Sequence, residues 1–367
     1  MAEKFRVLVA PLDWGLGHAS RCIPIVRELL KQGFEPILGG TKESLYLLKE
    51  DFPELESQDL PAYNIQYSAS DEQLMQLVGQ APKVLLVHYA ERKLFKRLVQ
   101  ENKVDAVISD NRYGMYSKKI PSVIICHQLS LHYPDTPDWM LTFSNRSNRK
   151  LIQKFDECWV PDYGGENNLA GKLSKAKLKI PIRYLGPLSR FQALDSKGGK
   201  KEGKIDVLIV LSGPEPQRSL LEAKLLNEIP KIDRHFTLVQ GKPGEGMELK
   251  GENLRLVPFM NSRELQNAFQ EATCVISRSG YSSLMDYEAL GMNQLILIPT
   301  PGQPEQEYLG DIWKAKQKAI VQIQKELDLK EALREVEKLG GRPARPNAGE
   351  ALAEAVAALK EQLMSTK

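Results

Sequence analysis

A chain of 367 residues, 42% hydrophobic and 26% charged, has the make-up of a globular protein large enough for about two domains. Its net charge of +3 supplies no field for a nucleic-acid partner, and no base-reading motif appears. No apolar run approaches the ~20 residues of a membrane span. The first run, Phe5–Pro11, is too short for a signal core and is followed by Asp13, so a cytoplasmic protein is expected.

In chain order, Phe5–Pro11 predicts a strand that leads through a glycine turn into a helix from about His18 to Lys31. Phe34–Gly40, Val104–Ser109, Ser122–Cys126, Cys158–Pro161 and Arg183–Leu185 predict further strands, the longer ones almost continuously apolar as a covered parallel sheet requires. Asp195–Lys204 is polar and glycine-rich and reads as a linker. The pattern then restarts with a strand at Asp206–Leu211, a Ser-Gly-Pro turn and a helix from about Pro216. Later strands are expected at Phe236–Gln240, Leu254–Val257, Cys274–Ser277 and Leu295–Pro299. The expected fold is α/β, with two doubly wound Rossmann-like domains facing a cleft. Residues 1–190 form the first domain, 191–204 the linker and 205–345 the second domain. An Ala/Leu/Glu-rich C-terminal helix within 346–367 can pack back on the first. Cys22, Cys126, Cys158 and Cys274 are widely spaced and read as buried, reduced thiols.

In this architecture ligands bind at the carboxyl ends of strands. The first strand ends in Asp13-Trp-Gly15-Leu-Gly17-His18-Ala-Ser20-Arg21. A dinucleotide fingerprint needs glycine where Ser20 stands and an acid where Gly39-Gly40-Thr41 follow the second strand, so that reading is weak. The other reading is an active-site loop presenting His18 as a general base, oriented by Asp110 at the end of another strand. The plainer alternative is a helix-start histidine bonded to a carbonyl.

The second half carries Val275-Ile-Ser-Arg-Ser279-Gly280-Tyr281, with Asp286 six residues after the glycine. Free amides at a helix start hold a phosphate well. Asp286 can clamp two vicinal hydroxyls of a ribose, although Ser283-Leu-Met-Asp286 also fits a capping box. Glu305 and Gln306 follow a buried strand and can reach sugar hydroxyls, the plainer reading being a polar first helical turn.

This order over about Asp206–Ala319 resembles the donor-binding domain of GT-B glycosyltransferases of the MurG type, with a family 28 type C-terminal domain. The match is weaker over residues 1–190, where Gly-x-Gly-His carries it. The resemblance implies a donor site of Gly17, Ser212, Gly213, Ser279, Gly280, Tyr281, Asp286, Glu305 and Gln306, with Met260 beside the base through its backbone. It implies His18 as base, an Asp110 partner, and a UDP-sugar as co-substrate in cell-envelope polysaccharide synthesis. The sequence departs from the family at Asp286, where glutamate is usual, and at Gly310, where asparagine is expected. Its Ser212-Gly-Pro-Glu turn is also poorer in glycine than expected.

The reaction expected is inverting, hexosyl transfer from a nucleoside-diphosphate donor to a glycan or lipid-linked acceptor. No DxD-type pair stands at a strand end, so no cofactor or metal is required. Gly15-x-Gly17-His18-x-x-Arg21 also resembles nucleotide-sugar hydrolases of the same fold, which makes hydrolysis the alternative. An epimerase and a non-catalytic binding protein rank below it. Asn111, Arg112 and His127 are the acceptor-side candidates. The basic, partly apolar stretches Lys83–Arg97 and Trp139–Lys154 could meet a membrane surface, the plainer reading being amphipathic helices with a solvated basic face.

Overall fold

The computed structural model describes residues 4–65, 79–132, 136–191, 205–213, 215–242, 246–340 and 349–366. The linker expected at Asp195–Lys204 lies outside them. The described residues fall into two compact units, one within 1–65, 78–190 and 346–367, the other within 191–345.

The first unit runs β1 (Arg6–Pro11), α1 (Leu16–Lys31), β2 (Glu35–Gly40), α2 (Lys42–Asp51), β3 (Ser57–Asp59), α3 (Ala81–Gln100), β4 (Ala106–Asp110), β5 (Ser122–Ile125), α4 (Asp138–Ile152), β6 (Glu157–Val160) and β7 (Ile182–Tyr184). Its strands form one parallel sheet ordered β3-β2-β1-β4-β5-β6-β7. Val7 to Ala10, Ala106 to Asp110 and Ser122 to Ile125 are buried throughout, which is why these strands read as unbroken apolar runs. β3, Ser-Gln-Asp, carries no such run: it is an edge strand held by backbone pairing to β2.

The second unit runs β8 (Ile205–Val210), α5 (Gln217–Glu228), β9 (Phe236–Val239), β10 (Leu249–Lys250), β11 (Leu254–Val257), α6 (Ser262–Glu271), β12 (Ala272–Ser277), α7 (Tyr281–Leu290), β13 (Leu295–Leu297), α8 (Pro304–Ala315), β14 (Ile320–Val321) and α9 (Leu329–Val336). The sheet order is β10-β11-β9-β8-β12-β13-β14, parallel except for the β10–β11 pair. Its core gathers Val207, Ile209, Phe236, Leu238, Ile276 and Ile296 of the strands against Leu221, Leu225 and Leu333 of the helices.

The last helix, α10 (Gly349–Thr366), belongs to the first unit. There Lys360 Nζ donates to the Gln32 carbonyl (2.7 Å), and Gln32 Nε2 donates to the Ala353 carbonyl (2.8 Å), capping the end of α1.

Each sheet reverses its strand order once between central neighbours: β1 and β4 in the first unit, β8 and β12 in the second. At such a switch point the outgoing connections diverge to opposite faces and leave a crevice at the carboxyl ends. His18 stands in the first turn of α1, just after β1, and Asp110 is the last residue of β4. The loops after β8 and β12 carry Ser212-Gly213 and Ser279-Gly280.

Candidate active site

In the first unit the chain leaves β1 through Leu12, bonded to the Asp110 carbonyl (3.0 Å), and turns into α1 at Gly15. Gly15 has φ 84° and ψ 170°, a conformation reserved for glycine, so the turn that aims α1 depends on this residue. Gly17 already lies in α1, with its carbonyl accepting from Ser20 Oγ (2.9 Å).

His18 Nδ1 stands 3.1 Å from Asp110 Oδ2. The two residues singled out from separate strand ends therefore meet. A third, Arg21, named in the sequence only within the Gly15-x-Gly17-His18-x-x-Arg21 pattern, joins them. Arg21, one turn along α1, donates from Nε to Asp110 Oδ2 (2.6 Å) and from Nη2 to Asp110 Oδ1, and its Nη2 lies 2.9 Å from His18 Nδ1. Its Nη1 lies 3.4 Å from His127 Nδ1. The available signal was an arginine on the apolar face of α1, beside Cys22 and Ile23, where burial obliges a charge partner.

Asp110 and Arg21 are essentially buried and His18 is partly exposed. Burial acts to raise the Asp110 pKa, but Arg21 and then His18 outweigh it and hold the carboxyl at about 2. Burial lowers the His18 pKa; Asp110 opposes this by raising it, and Arg21, a smaller influence, lowers it. The His18 Nε2 has no protein partner among the described residues.

The acceptor-side expectations divide. Arg112 is corrected: it is fully buried and holds the core of the first unit together. Its Nε donates to Pro11 O (2.7 Å), and its Nη1 to Pro61 O and Glu91 Oε1 (both 2.8 Å), while Asp13 Oδ1 lies 3.4 Å from Nη2. Glu91, on α3, also accepts from the Gly114 amide (3.1 Å). His127 is 4% exposed and touches Arg21, so it supports the buried cluster instead of lining an open face. Asn111 stays unexplained by the core. It adopts φ 55°, and its Oδ1 is buried with no hydrogen-bond donor.

In the second unit, Gly280 is the residue before α7, and no side chain caps that helix. Its φ of −66° makes no demand for glycine, and a Cβ built there meets nothing within 4 Å. The glycine leaves clearance at the start of α7. Gly213, at φ 96° after β8, faces open space in the same way. Ser279 Oγ donates to Gln306 O (2.7 Å), tying this loop to α8. Beneath lies buried Arg278, whose guanidinium donates to the carbonyls of Ile298, Pro299 and Gln217. Burial drops its pKa to about 10. No described residue forms an ion pair with it, so its charge adds to the positive end of α7.

Two further expectations are revised. The capping box Ser283–Asp286 is not formed, because α7 begins at Tyr281; Asp286 is a half-buried residue of mid-helix. Gln306 does not extend into open space: its Oε1 accepts from the Thr300 amide (3.0 Å) and its Nε2 donates to Gln303 Oε1 (2.6 Å), bracing the turn before α8. Gly310, where the resemblance expects asparagine, packs so tightly that a Cβ would come within 3.2 Å of Pro299. Met260 borders a cavity of about 540 Å³ with Lys242, Arg255 and Glu271; Ser212, Gly213, Ser279, Gly280, Asp286, Glu305 and Gln306 do not line it. Among the described residues no group of three or more His, Cys, Asp or Glu could hold a metal ion, and no helix is long and apolar enough to cross a membrane.

Residues 219–363 match the glycosyltransferase family 28 C-terminal domain. An uncharacterized glycosyltransferase of Methanosarcina acetivorans is 26% identical over 82% of this chain and 81% of its own length. The UDP-N-acetylglucosamine–N-acetylmuramyl-(pentapeptide) pyrophosphoryl-undecaprenol N-acetylglucosamine transferase of Lactobacillus acidophilus is 23% identical over 78% and 77%. The crystal structure of Acinetobacter baumannii MurG superposes with a TM-score of 0.57 at 15% identity, over 97% of this chain and all of the other.

Proposed function

Because the chain is a GT-B-fold, MurG-like glycosyltransferase, we propose that it transfers a sugar from a nucleoside-diphosphate donor to a hydroxyl of a glycan or lipid-linked acceptor, with inversion and without a metal. The observation that carries this reading is the pair of switch points: a histidine held at Nδ1 by Asp110 and Arg21 after β1, and a helix start with open clearance at Gly280 after β12.

His18 Nε2 takes the proton of the acceptor hydroxyl. The hydroxyl oxygen attacks the anomeric carbon from the face opposite the diphosphate. The bond from that carbon to the β-phosphate oxygen breaks, and the nucleoside diphosphate leaves with the electron pair. The growing negative charge is met by the amides after Gly280, the α7 dipole and buried Arg278, donors already in place before the charge develops. Gly213 gives the diphosphate room at the first turn. Asp286 takes the ribose hydroxyls, Glu305 the sugar and the Met260 backbone the base, uridine being favoured by the named relatives that use UDP-N-acetylglucosamine.

A lipid-linked acceptor is supported by α3 and α4. Leu85, Leu86 and Tyr89 on α3, and Trp139 and Phe143 on α4, are each about 70% exposed. They are interspersed with Lys83, Arg92, Arg146 and Arg149. Apolar side chains among cations suit the interface of an anionic bilayer.

The test is nucleoside-diphosphate release from UDP-, GDP- and dTDP-sugars in EDTA, with and without a membrane-lipid and glycan extract. Release from a UDP-sugar that requires the extract supports the proposal. Release without acceptor, with free sugar formed, replaces it by hydrolysis.

A further inference from the structure

The Arg21 guanidinium has no place in a simple His–Asp dyad, in which a carboxylate alone faces the ring. Here Asp110 is already occupied: both its oxygens receive Arg21 N–H groups, from Nε and Nη2. His18 Nδ1 meets Asp110 Oδ2 at 3.1 Å and Arg21 Nη2 at 2.9 Å. A guanidinium only donates and an ionised carboxylate only accepts. Two arrangements of the neutral ring fit. Nδ1–H can donate to Asp110, leaving Nε2 as the base, or Nδ1 can accept from Nη2. The protonated ring fits poorly, since it sets a second cation beside a guanidinium whose charge already balances the single carboxylate.

The remaining groups facing His18 do not change this. His127 comes from the loop after β5 and lies 3.4 Å from Arg21. The thiols of Cys22 and Cys126 are pushed up by burial, Cys126 to about 11, and stay neutral.

We propose that Arg21 is a positioning residue for the His18 base: by holding both oxygens of Asp110 and facing Nδ1, it withholds the carboxylate from a protonated ring and keeps His18 neutral and ready to accept a proton. The proposal rests on His18 being the base of the transfer reaction. It separates this site from a dyad in which the carboxylate makes the histidine a stronger base. Here the carboxylate orients the ring, and the arginine limits how basic it becomes.

The test reads the ring directly, without turnover. His18 is titrated by NMR in full-length protein labelled at histidine nitrogen, its signals identified by their loss in His18→Asn. Wild type is compared with Arg21→Met and with Arg21→Met/Asp110→Asn. Arg21→Met frees the carboxylate for the ring, and the His18 midpoint is expected to rise by about one unit or more. In the double variant, with both charges gone, it is expected to fall back below the ordinary histidine value. An Arg21→Met protein that is folded by circular dichroism yet titrates His18 at the wild-type position overturns the proposal. So does a double variant that titrates as high as the single one. Should Arg21→Met not fold, Asp110→Asn against the double variant makes the same comparison: His18 must titrate lower in Asp110→Asn, where the guanidinium remains, and equal midpoints overturn the proposal. Because no substrate is involved, failure here is distinct from failure of the transferase reading, which the donor panel decides.

Discussion

The two switch points of this protein are built from different materials. After β1 and β4 the chemistry is made of side chains: His18, Arg21 and Asp110 are buried or nearly so, charge-balanced and mutually bonded. After β8 and β12 it is made of backbone: Gly213 and Gly280 face empty space, and the amides before α7 have no capping side chain. A reacting group must have its protonation and orientation fixed before the substrate arrives, which takes partners and burial. A diphosphate needs room beside a helix start, which takes glycine and a helix end. Substitutions in the two regions should therefore fail in opposite ways.

The largest effect is expected at His18. His18→Ala should lower kcat by ~10²–10⁴-fold, the usual worth of a general base, with donor affinity unchanged in a binding assay. Full turnover in this variant would remove the base assignment and collapse the contrast. Next is Arg112, close in sequence to Asp110 yet placed in the frame of the unit. Arg112→Met leaves Glu91 buried without its cation and should cost ~3–5 kcal/mol of unfolding free energy. The shape of the pH–rate profile of the surviving folded enzyme should be unaltered. An altered profile with undiminished stability would move Arg112 into the site.

Acid should reveal the carboxylate cluster next. The Asp110 pKa falls from 3.8 in the unfolded chain to about 2 in the fold, so its stabilisation is present above about 3.8 and lost as pH drops through about 2. The loss is about 2 kcal/mol, read by urea midpoints between pH 5 and 2. His18, lowered from 6.5, adds a term of the same sign: stability falls as pH drops below 6.5, where the unfolded ring takes up a proton and the folded one resists. Asp110→Asn should flatten the lower part of that curve; an unchanged slope would mean that the cluster does not hold together in solution.

The smallest and most selective effect is expected at Gly280. The added methyl of Gly280→Ala meets no protein atom and needs no unusual backbone, so the melting temperature should stay within a degree or two. Nucleoside-diphosphate affinity should weaken roughly tenfold, about 1.4 kcal/mol. Equal affinity would show that the clearance over α7 is not where the phosphate lies.

Much of this was legible in the residues. The alternation of apolar strand, small-residue turn and helix located most of both sheets, because a strand covered on both faces has few polar positions to obscure it. β3 and the two-residue β10 and β14 were not legible, since they are held by backbone pairing that leaves no side-chain pattern. His18 and Asp110 were nameable because each stands where an apolar run stops. Arg112 and His127 stand at equally suggestive places and point inward, and nothing in a one-dimensional pattern separates a charge facing solvent from one neutralised inside.

The sequence by itself determined two α/β units and the positions of their strand-end loops, because hydrophobic period and glycine placement are local properties. Only the tertiary structure decided which loops share a switch point, that Arg21 stands between His18 and Asp110, and that Arg112 and Gln306 brace the frame. The Arg21–Asp110 and Arg112–Pro11 bonds depend on strand order and on which buried charge finds which partner, across 89 and 101 residues of chain, and an interaction over that span has no signature in any window of sequence.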